Sequence, residues 1–265
     1  MDLQLRGKRA IVTGGSRGIG LAIADALASE GVDVAIAARD ADALREAAGR
    51  LSVHGTRVIG VATDTTDDQQ VRDMVASVVA ELGGVDILVN SAATPASSGP
   101  TPTLETLTDE AFLRELDTKV LGYLRCARAV APHLKAAGWG RIISISGLNA
   151  RNAGSISGSV RNVAVAAMTK NLADELGVHG INVTVVHPGM TVTERTPWLL
   201  SHRAEEKGVT PQDIEAGMSA GISIGRMVTA AEVASVVAFL ASPRSVAING
   251  DAVAVGGGTR GPIHY

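Results

Sequence analysis

Aromatic residues make up only 2% of this 265-residue chain, with Trp, Tyr and Phe present twice each. Cysteine occurs once, as Cys126. A lone cysteine excludes an internal disulfide, and its place in an apolar helical run suits a small buried hydrophobe better than a nucleophile. Basic charge is not in excess: 24 Lys and Arg face 27 Asp and Glu, which excludes the basic surface that nucleic-acid binding requires. No run approaches the roughly 18 apolar residues of a membrane helix. Residues 1–6 lack the apolar core of a signal peptide. The six histidines show no metal-ligand spacing with Asp, Glu or Cys. These absences point to a cytoplasmic protein that handles small molecules, without a metal, a membrane or nucleic acid.

What is present is small and apolar. Hydrophobic residues reach 46% and charged ones 19%, a balance that disordered chains do not have. The length suits one large domain over residues 1–265, able to bury its apolar surface without disulfides.

The most informative stretch is Thr13-Gly14-Gly15-Ser16-Arg17-Gly18-Ile19-Gly20. It follows an apolar strand at 9–12 and leads into a run of helix formers at 21–28. A glycine turn between strand and helix makes an anion site, because the first helical turn has unpaired N–H groups and glycines let a pyrophosphate approach the backbone. A tight turn without a ligand has the same glycines, so the rest of the chain has to decide.

That rest alternates. Strands are expected at 32–38, 58–62, 85–89, 141–146, 182–186 and 251–255, and helices at 42–51, from 71, from 112 to 134, at 163–176 and at 229–240. Strands that are apolar throughout, alternating with amphipathic helices, predict an α/β fold: a Rossmann-type doubly wound parallel sheet of about seven strands with helices on both faces. A Ser-, Pro- and Thr-rich stretch at 93–108 is a loop leaving the carboxyl end of a strand. Residues 191–226, aperiodic and holding Pro197 and Pro211, are expected to form a substrate-side lid with a short helix inside.

The turn resembles the Thr-Gly-x-x-x-Gly-x-Gly signature of the short-chain dehydrogenase/reductase family. Further family markers follow in order: Asp64 after the third strand, Asn90-Ser91-Ala92-Ala93 where the family has Asn-Asn-Ala-Gly, Pro188-Gly189 after the sixth strand, and the run 256–258 of glycines. The resemblance implies a bound nicotinamide dinucleotide. Gly14, Ser16, Arg17, Gly18, Ile19 and Gly20 would hold the pyrophosphate side, Asp64 the adenine, and Asn90 and Ala92 the nicotinamide side of the sheet. Pro188, Gly189, Thr191 and Thr193 would border the carboxamide. Asp64 as a turn residue and Asn90 as a strand-end turn are the alternatives. A homo-oligomer, dimer or tetramer, is also implied.

Charge argues for NADP(H) over NAD(H). The second strand ends in Ala38-Arg39, without a carboxylate at its tip, while Arg17 and Arg39 offer two guanidinium groups to a ribose 2′-phosphate. Asp40, one residue on, is the one group able to accept a ribose hydroxyl.

The family's hydride transfer between nicotinamide and a carbonyl or alcohol uses a Tyr, a Lys four residues later and a Ser about a dozen residues earlier. Aligning on Ala164-Val165-Ala166-Ala167-Met168-Thr169-Lys170 puts Gly158 at the Tyr position and Asn162 at the Lys position. The tyrosines of the chain, Tyr123 and Tyr265, lie elsewhere. The Ser position falls on Ser146 or on Gly147. Where the family usually has Asn three residues before a Gly, this chain has Lys119 before Gly122. Lys119 either reaches into the space left by Asn162 and restores a positive charge, or lies along a helix surface. Arg161 would anchor an anionic substrate or pair with a carboxylate, and His187 would titrate beside the cofactor or be structural.

The expected activity is an NADP(H)-binding oxidoreductase with an atypical relay of Ser146, Lys119, Asn162 and water. The alternatives are a catalytically silent NADP(H)-binding sensor or partner subunit, and a non-redox enzyme on the same scaffold. Trp198, Leu199 and Leu200 hint at a partly hydrophobic small-molecule substrate.

Overall fold

A computed structural model describes residues 1–94 and 101–260. Residues 95–100 of the loop expected at 93–108, and Tyr265, therefore lie outside the described residues.

The chain alternates β1 (Arg9–Thr13), α1 (Gly18–Ser29), β2 (Asp33–Ala38), α2 (Ala41–Leu51), β3 (Val58–Ala62), α3 (Asp68–Leu82) and β4 (Ile87–Asn90). It continues with α4 (Asp109–Leu116), α5 (Gly122–Ala137), β5 (Gly140–Ile145), α6 (Ile156–Leu176) and β6 (Ile181–Pro188). A short strand β7 (Thr191–Val192), helices α7 (Thr196–Lys207) and α8 (Pro211–Ser219), and a second short strand β8 (Val228–Thr229) follow; α9 (Ala230–Ala241) and β9 (Ala252–Val255) complete the described chain.

Seven strands form one sheet in the order β3-β2-β1-β4-β5-β6-β9, with all pairs parallel. This is the doubly wound Rossmann-type sheet that the alternation predicts. Two apolar clusters cover its faces: one packs Ile23, Leu27, Leu44, Val237 and Leu240 against Val12 and Ile36, the other packs Met74, Val78, Val130 and Leu176 against Ile11 and Leu88. At about 1.5–3 kcal/mol for each fully buried aliphatic side chain, these clusters are the main stabilising contribution. The strand order reverses between β1 and β4, which opens a crevice at their carboxyl ends.

Three local differences from the sequence reading matter. The helix expected from 112 to 134 is interrupted by a π-helical turn, Asp117–Leu121. The apolar residues keep their four-residue spacing through it, so periodicity alone does not reveal it. The helix expected at 163–176 begins at Ile156, where the Ser155 hydroxyl accepts the N–H of Gly158 as an N-cap. Residues 191–226 hold two helices, and β7 pairs with β8 across them.

Candidate active site

The glycine turn joins β1 to α1 and rests on the end of β2, with the N–H of Gly14 donating to the Ala37 carbonyl at 2.7 Å. At Gly14, where φ is +67°, a Cβ would sit 2.9 Å from the backbone of Ala92; a Cβ on Gly20 would lie 2.2 Å from the Gly14 oxygen. At Gly18 the φ is +59°, yet nothing stands nearer to a Cβ than 3.9 Å. Gly14 and Gly20 are therefore required by packing, whereas Gly18 is required by its left-handed backbone. The Thr13 hydroxyl accepts the N–H groups of Ser91 and Ala92, which ties the segment after β4 to the turn. Asn90 is buried at the end of β4, and both polar atoms of its side chain lack a partner among the described residues. An orphaned amide beside a glycine cradle fits a ligand with donors and acceptors of its own.

Arg17 and Arg39 are exposed at the tips of the turn and of β2. Neither makes an ion pair with a described residue. Asp40 accepts the N–H groups of Asp42 and Ala43 as the N-cap of α2, so its carboxylate already has a structural task. Asp64 accepts both the N–H and the hydroxyl of Thr66 through Oδ1, as a turn residue does. Across the crevice, the Gly189 N–H donates to the Val255 carbonyl at 2.9 Å. A Cβ on Gly189 would meet the Cα of Gly256 at 2.8 Å, so Pro188-Gly189 and the terminal glycine run, far apart in sequence, form one wall. Thr191 turns its hydroxyl to the Gly189 carbonyl, and the Thr193 N–H is held by the Thr196 hydroxyl.

The residues singled out by the family comparison converge beyond the end of β5. Lys119 is 4% exposed, and its ammonium donates to the Ser146 carbonyl at 2.9 Å. The π-helical turn is what aims it inward. It does not lie along a helix surface. Burial is the first cause of its depressed pKa, the charge of Arg161 the second, with Glu115 opposing both, and the result is about 7 against an ordinary 10.5. The Ser146 hydroxyl donates to the Asn162 carbonyl at 3.2 Å. Asn162 is buried and its Oδ1 has no partner among the described residues, while its Nδ2 would stand 3.0 Å from a Cβ on Gly147. Ser146 thus accepts Lys119 at its carbonyl and donates to the main chain of Asn162 with its hydroxyl.

At Gly158 a Cβ would encounter the Ser155 hydroxyl at 2.7 Å and the Asn149 amide at 3.0 Å. Polar groups of the preceding loop occupy the room that a larger residue would need. Arg161 pairs with Glu115 at 2.9 Å, which realises its carboxylate-pairing alternative. His187 is buried at the end of β6, and its Nδ1 has no partner among the described residues. Burial first, then the charges of Arg151 and Lys119, lower its pKa to about 4, so it is a neutral imidazole at neutral pH. Cys126 is buried, and burial raises its pKa to about 12, the behaviour of an inert core thiol.

Tyr123 was not a candidate from the sequence. It is fully buried, and its hydroxyl donates to the Ile145 carbonyl at 2.9 Å, with its pKa raised by burial. Lys119 and Tyr123 therefore serve consecutive carbonyls at the end of β5. Their spacing of four residues was the available signal, but the role depends on the contact with β5.

The short chain dehydrogenase family model matches residues 8–203. The chain belongs to this family. Oxidoreductase is accordingly its enzyme class. The chain is 35% identical over 250 residues to the short-chain reductase protein NovJ of Streptomyces niveus, covering 94% of this chain and 92% of that one. L-sorbose reductase of Gluconobacter frateurii, solved with NADPH and L-sorbose, is similar with a TM-score of 0.93 and 32% identity, over 99% of this chain and 100% of that one. An NAD+-bound xylitol dehydrogenase matches with a TM-score of 0.87 at 25% identity, covering 96% and 100%. A nicotinamide dinucleotide is thus the cofactor class, and the glycine cradle, the orphaned Asn90 amide and the Pro188-Gly189 wall of this short-chain dehydrogenase fit one. No helix among its described residues is long and apolar enough to cross a membrane.

Proposed function

We propose that the chain is an NADP(H)-dependent reductase or dehydrogenase of small carbonyl or alcohol substrates whose proton chemistry is carried by Lys119 instead of a Tyr–Lys pair. The observation that carries this reading is the buried Lys119 ammonium, 2.9 Å from the carbonyl of Ser146, whose hydroxyl in turn donates to the main chain of Asn162. When bound, the cofactor supplies or accepts a hydride at the substrate carbon; in the reductive direction a proton must reach the oxygen. An ammonium with a pKa of about 7 can release its proton near neutral pH. The Ser146 carbonyl holds the ammonium in place, and Asn90 and Asn162 keep amide atoms without a partner among the described residues, free for ligand groups.

The preference for NADP(H) rests on Arg17 in the glycine turn, on Arg39 at the tip of β2 and on Asp40 being taken up as a helix cap. Residues 191–226 act as the lid, with Trp198 half exposed and Leu200 turned into the lid's own small core, which suits a partly hydrophobic substrate. A cytoplasmic homo-oligomer, a dimer or tetramer, accords with the single buried cysteine and with Val160 and Val163 exposed along α6.

A second reading, a silent NADP(H)-binding subunit, is favoured by the filled space at Gly158. Loss of NADPH absorbance against ketones and enones, run beside a thermal-shift titration with NADPH and NADH, separates the two. Turnover supports the first reading, binding without turnover the second, and absence of binding refutes both.

A further inference from the structure

Helix α1 has no acidic residue in its first turn, and its N-cap residue Arg17 offers no side-chain acceptor. The N–H of Gly18 nevertheless has an anionic partner. Both carboxylate oxygens of Glu194, 176 positions later in the chain, lie within hydrogen-bond distance of it, at 3.0 and 3.2 Å. Glu194 stands between β7 and α7, directly after Thr193, whose methyl group is also the nearest atom to a Cβ built on Gly18. The segment that leads into α7 is therefore fastened to the glycine turn by a carboxylate on a helix N-terminus, the seat that favours anions.

Given the dinucleotide reading above, on which this inference rests, a pyrophosphate would seek the same N–H and the same end of the helix dipole. Two anions cannot share one N–H at hydrogen-bond distance without strong repulsion. We propose that Glu194 is a built-in competitor for the pyrophosphate seat, and that cofactor binding displaces its carboxylate and releases the segment leading into α7. Cofactor occupancy and the position of the lid are thereby one equilibrium: the carboxylate holds the lid root down on the turn, and the dinucleotide unfastens it. The apparent affinity for the cofactor is reduced by the fraction of molecules in which Glu194 is seated.

The reporter is already in place. Trp198 lies in α7 four residues beyond Glu194, stacked on His202 with ring centroids 5.2 Å apart and with the Arg195 guanidinium 5.1 Å over its ring. Trp139, the other indole of the chain, is at the opposite end of β5 between Lys8 and Arg141. The experiment titrates NADPH and, separately, inorganic pyrophosphate into wild-type protein and Glu194→Gln, following tryptophan emission, with Trp198→Phe as the control that identifies the signal. A carboxylate at an exposed helix N-terminus is worth a factor of about two to five. Glu194→Gln should therefore bind both ligands about two- to fivefold more tightly than wild type, and its ligand-free form should melt at a lower temperature because α1 loses its negative partner. Saturating wild type with either ligand should change Trp198 emission. Unchanged or weaker binding by Glu194→Gln, or an unaltered melting temperature without ligand, overturns the proposal while leaving the dinucleotide reading intact. Wild-type protein that binds neither NADPH nor pyrophosphate sinks the dinucleotide reading and the proposal with it.

Discussion

Replacing Lys119 by Met separates the cost of a buried ammonium from its use. Met has nearly the same reach without the charge. The difference between 10.5 and about 7 means that wild-type protein pays for burying this group whenever it is protonated, by roughly 5 kcal/mol at and below pH 7. The sign follows from proton counting. Between pH 7 and 10.5 the unfolded chain keeps the Lys119 proton that the folded chain has released, so stability rises with pH across that window. From pH 7 to 9 the gain from this group is about 2 kcal/mol. Above pH 9 the raised pKa of Cys126 acts in the opposite direction, which makes pH 7–9 the useful range. In Lys119→Met this rise disappears. At pH 7 the variant loses a hydrogen bond to the Ser146 carbonyl, at about 1–2 kcal/mol, but no longer buries a charge, and the net expectation is a stabilisation of about 1–3 kcal/mol. Urea midpoints of both proteins at pH 7, 8 and 9 provide the test. Parallel pH dependence in the two, or a variant less stable than wild type at pH 7, would refute the argument that Lys119 is buried at a cost the fold would otherwise avoid.

Two further outcomes are expected. Arg17→Ala and Arg39→Ala should each weaken NADPH binding about tenfold or more and leave NADH binding within about twofold, since only the phosphorylated ribose engages them; equal losses for both cofactors in calorimetry would remove the basis for the NADP(H) preference. Asn162→Lys adds a second ammonium at a buried position whose main chain Ser146 bonds and should cost about 1–3 kcal/mol in urea denaturation, whereas the exchange Lys119→Asn with Asn162→Lys should recover at least half of that. Additive effects in that double-mutant cycle would show that the two positions do not share one site.

Much of the fold was legible because parallel strands covered on both faces are apolar along their whole length, so 9–12, 32–38 and 58–62 each stood out between turns. The glycine turn, Asp64, Asn90 and Pro188-Gly189 were readable as a set because each ends a strand at the same edge of the sheet. Boundaries were lost where small residues blur the period: Ile156-Ser157-Gly158-Ser159 carries little apolar pattern, and only the Ser155 cap marks the start of α6. The contacts that decide chemistry were not legible. Whether Lys119 turns in or out depends on a π-helical turn and on a carbonyl 27 residues away. The fastening of Gly18 by Glu194 spans 176 residues, and neither residue announces the other. Asp40 shows the converse: a residue that looked able to accept a ribose hydroxyl is committed to its own helix.

The central claim, that Lys119 does the proton work of a missing Tyr–Lys pair, is tested most directly by NADPH-dependent carbonyl reduction measured across pH 6 to 9 in wild type and Lys119→Met. Wild type should turn over with a rate that is level below pH 7 and falls about tenfold per pH unit above it, as the ammonium is lost. Lys119→Met should retain NADPH binding and lose at least about a hundredfold in rate at pH 7. A rate in Lys119→Met that matches wild type, or a wild-type profile without the fall above pH 7, would contradict the account.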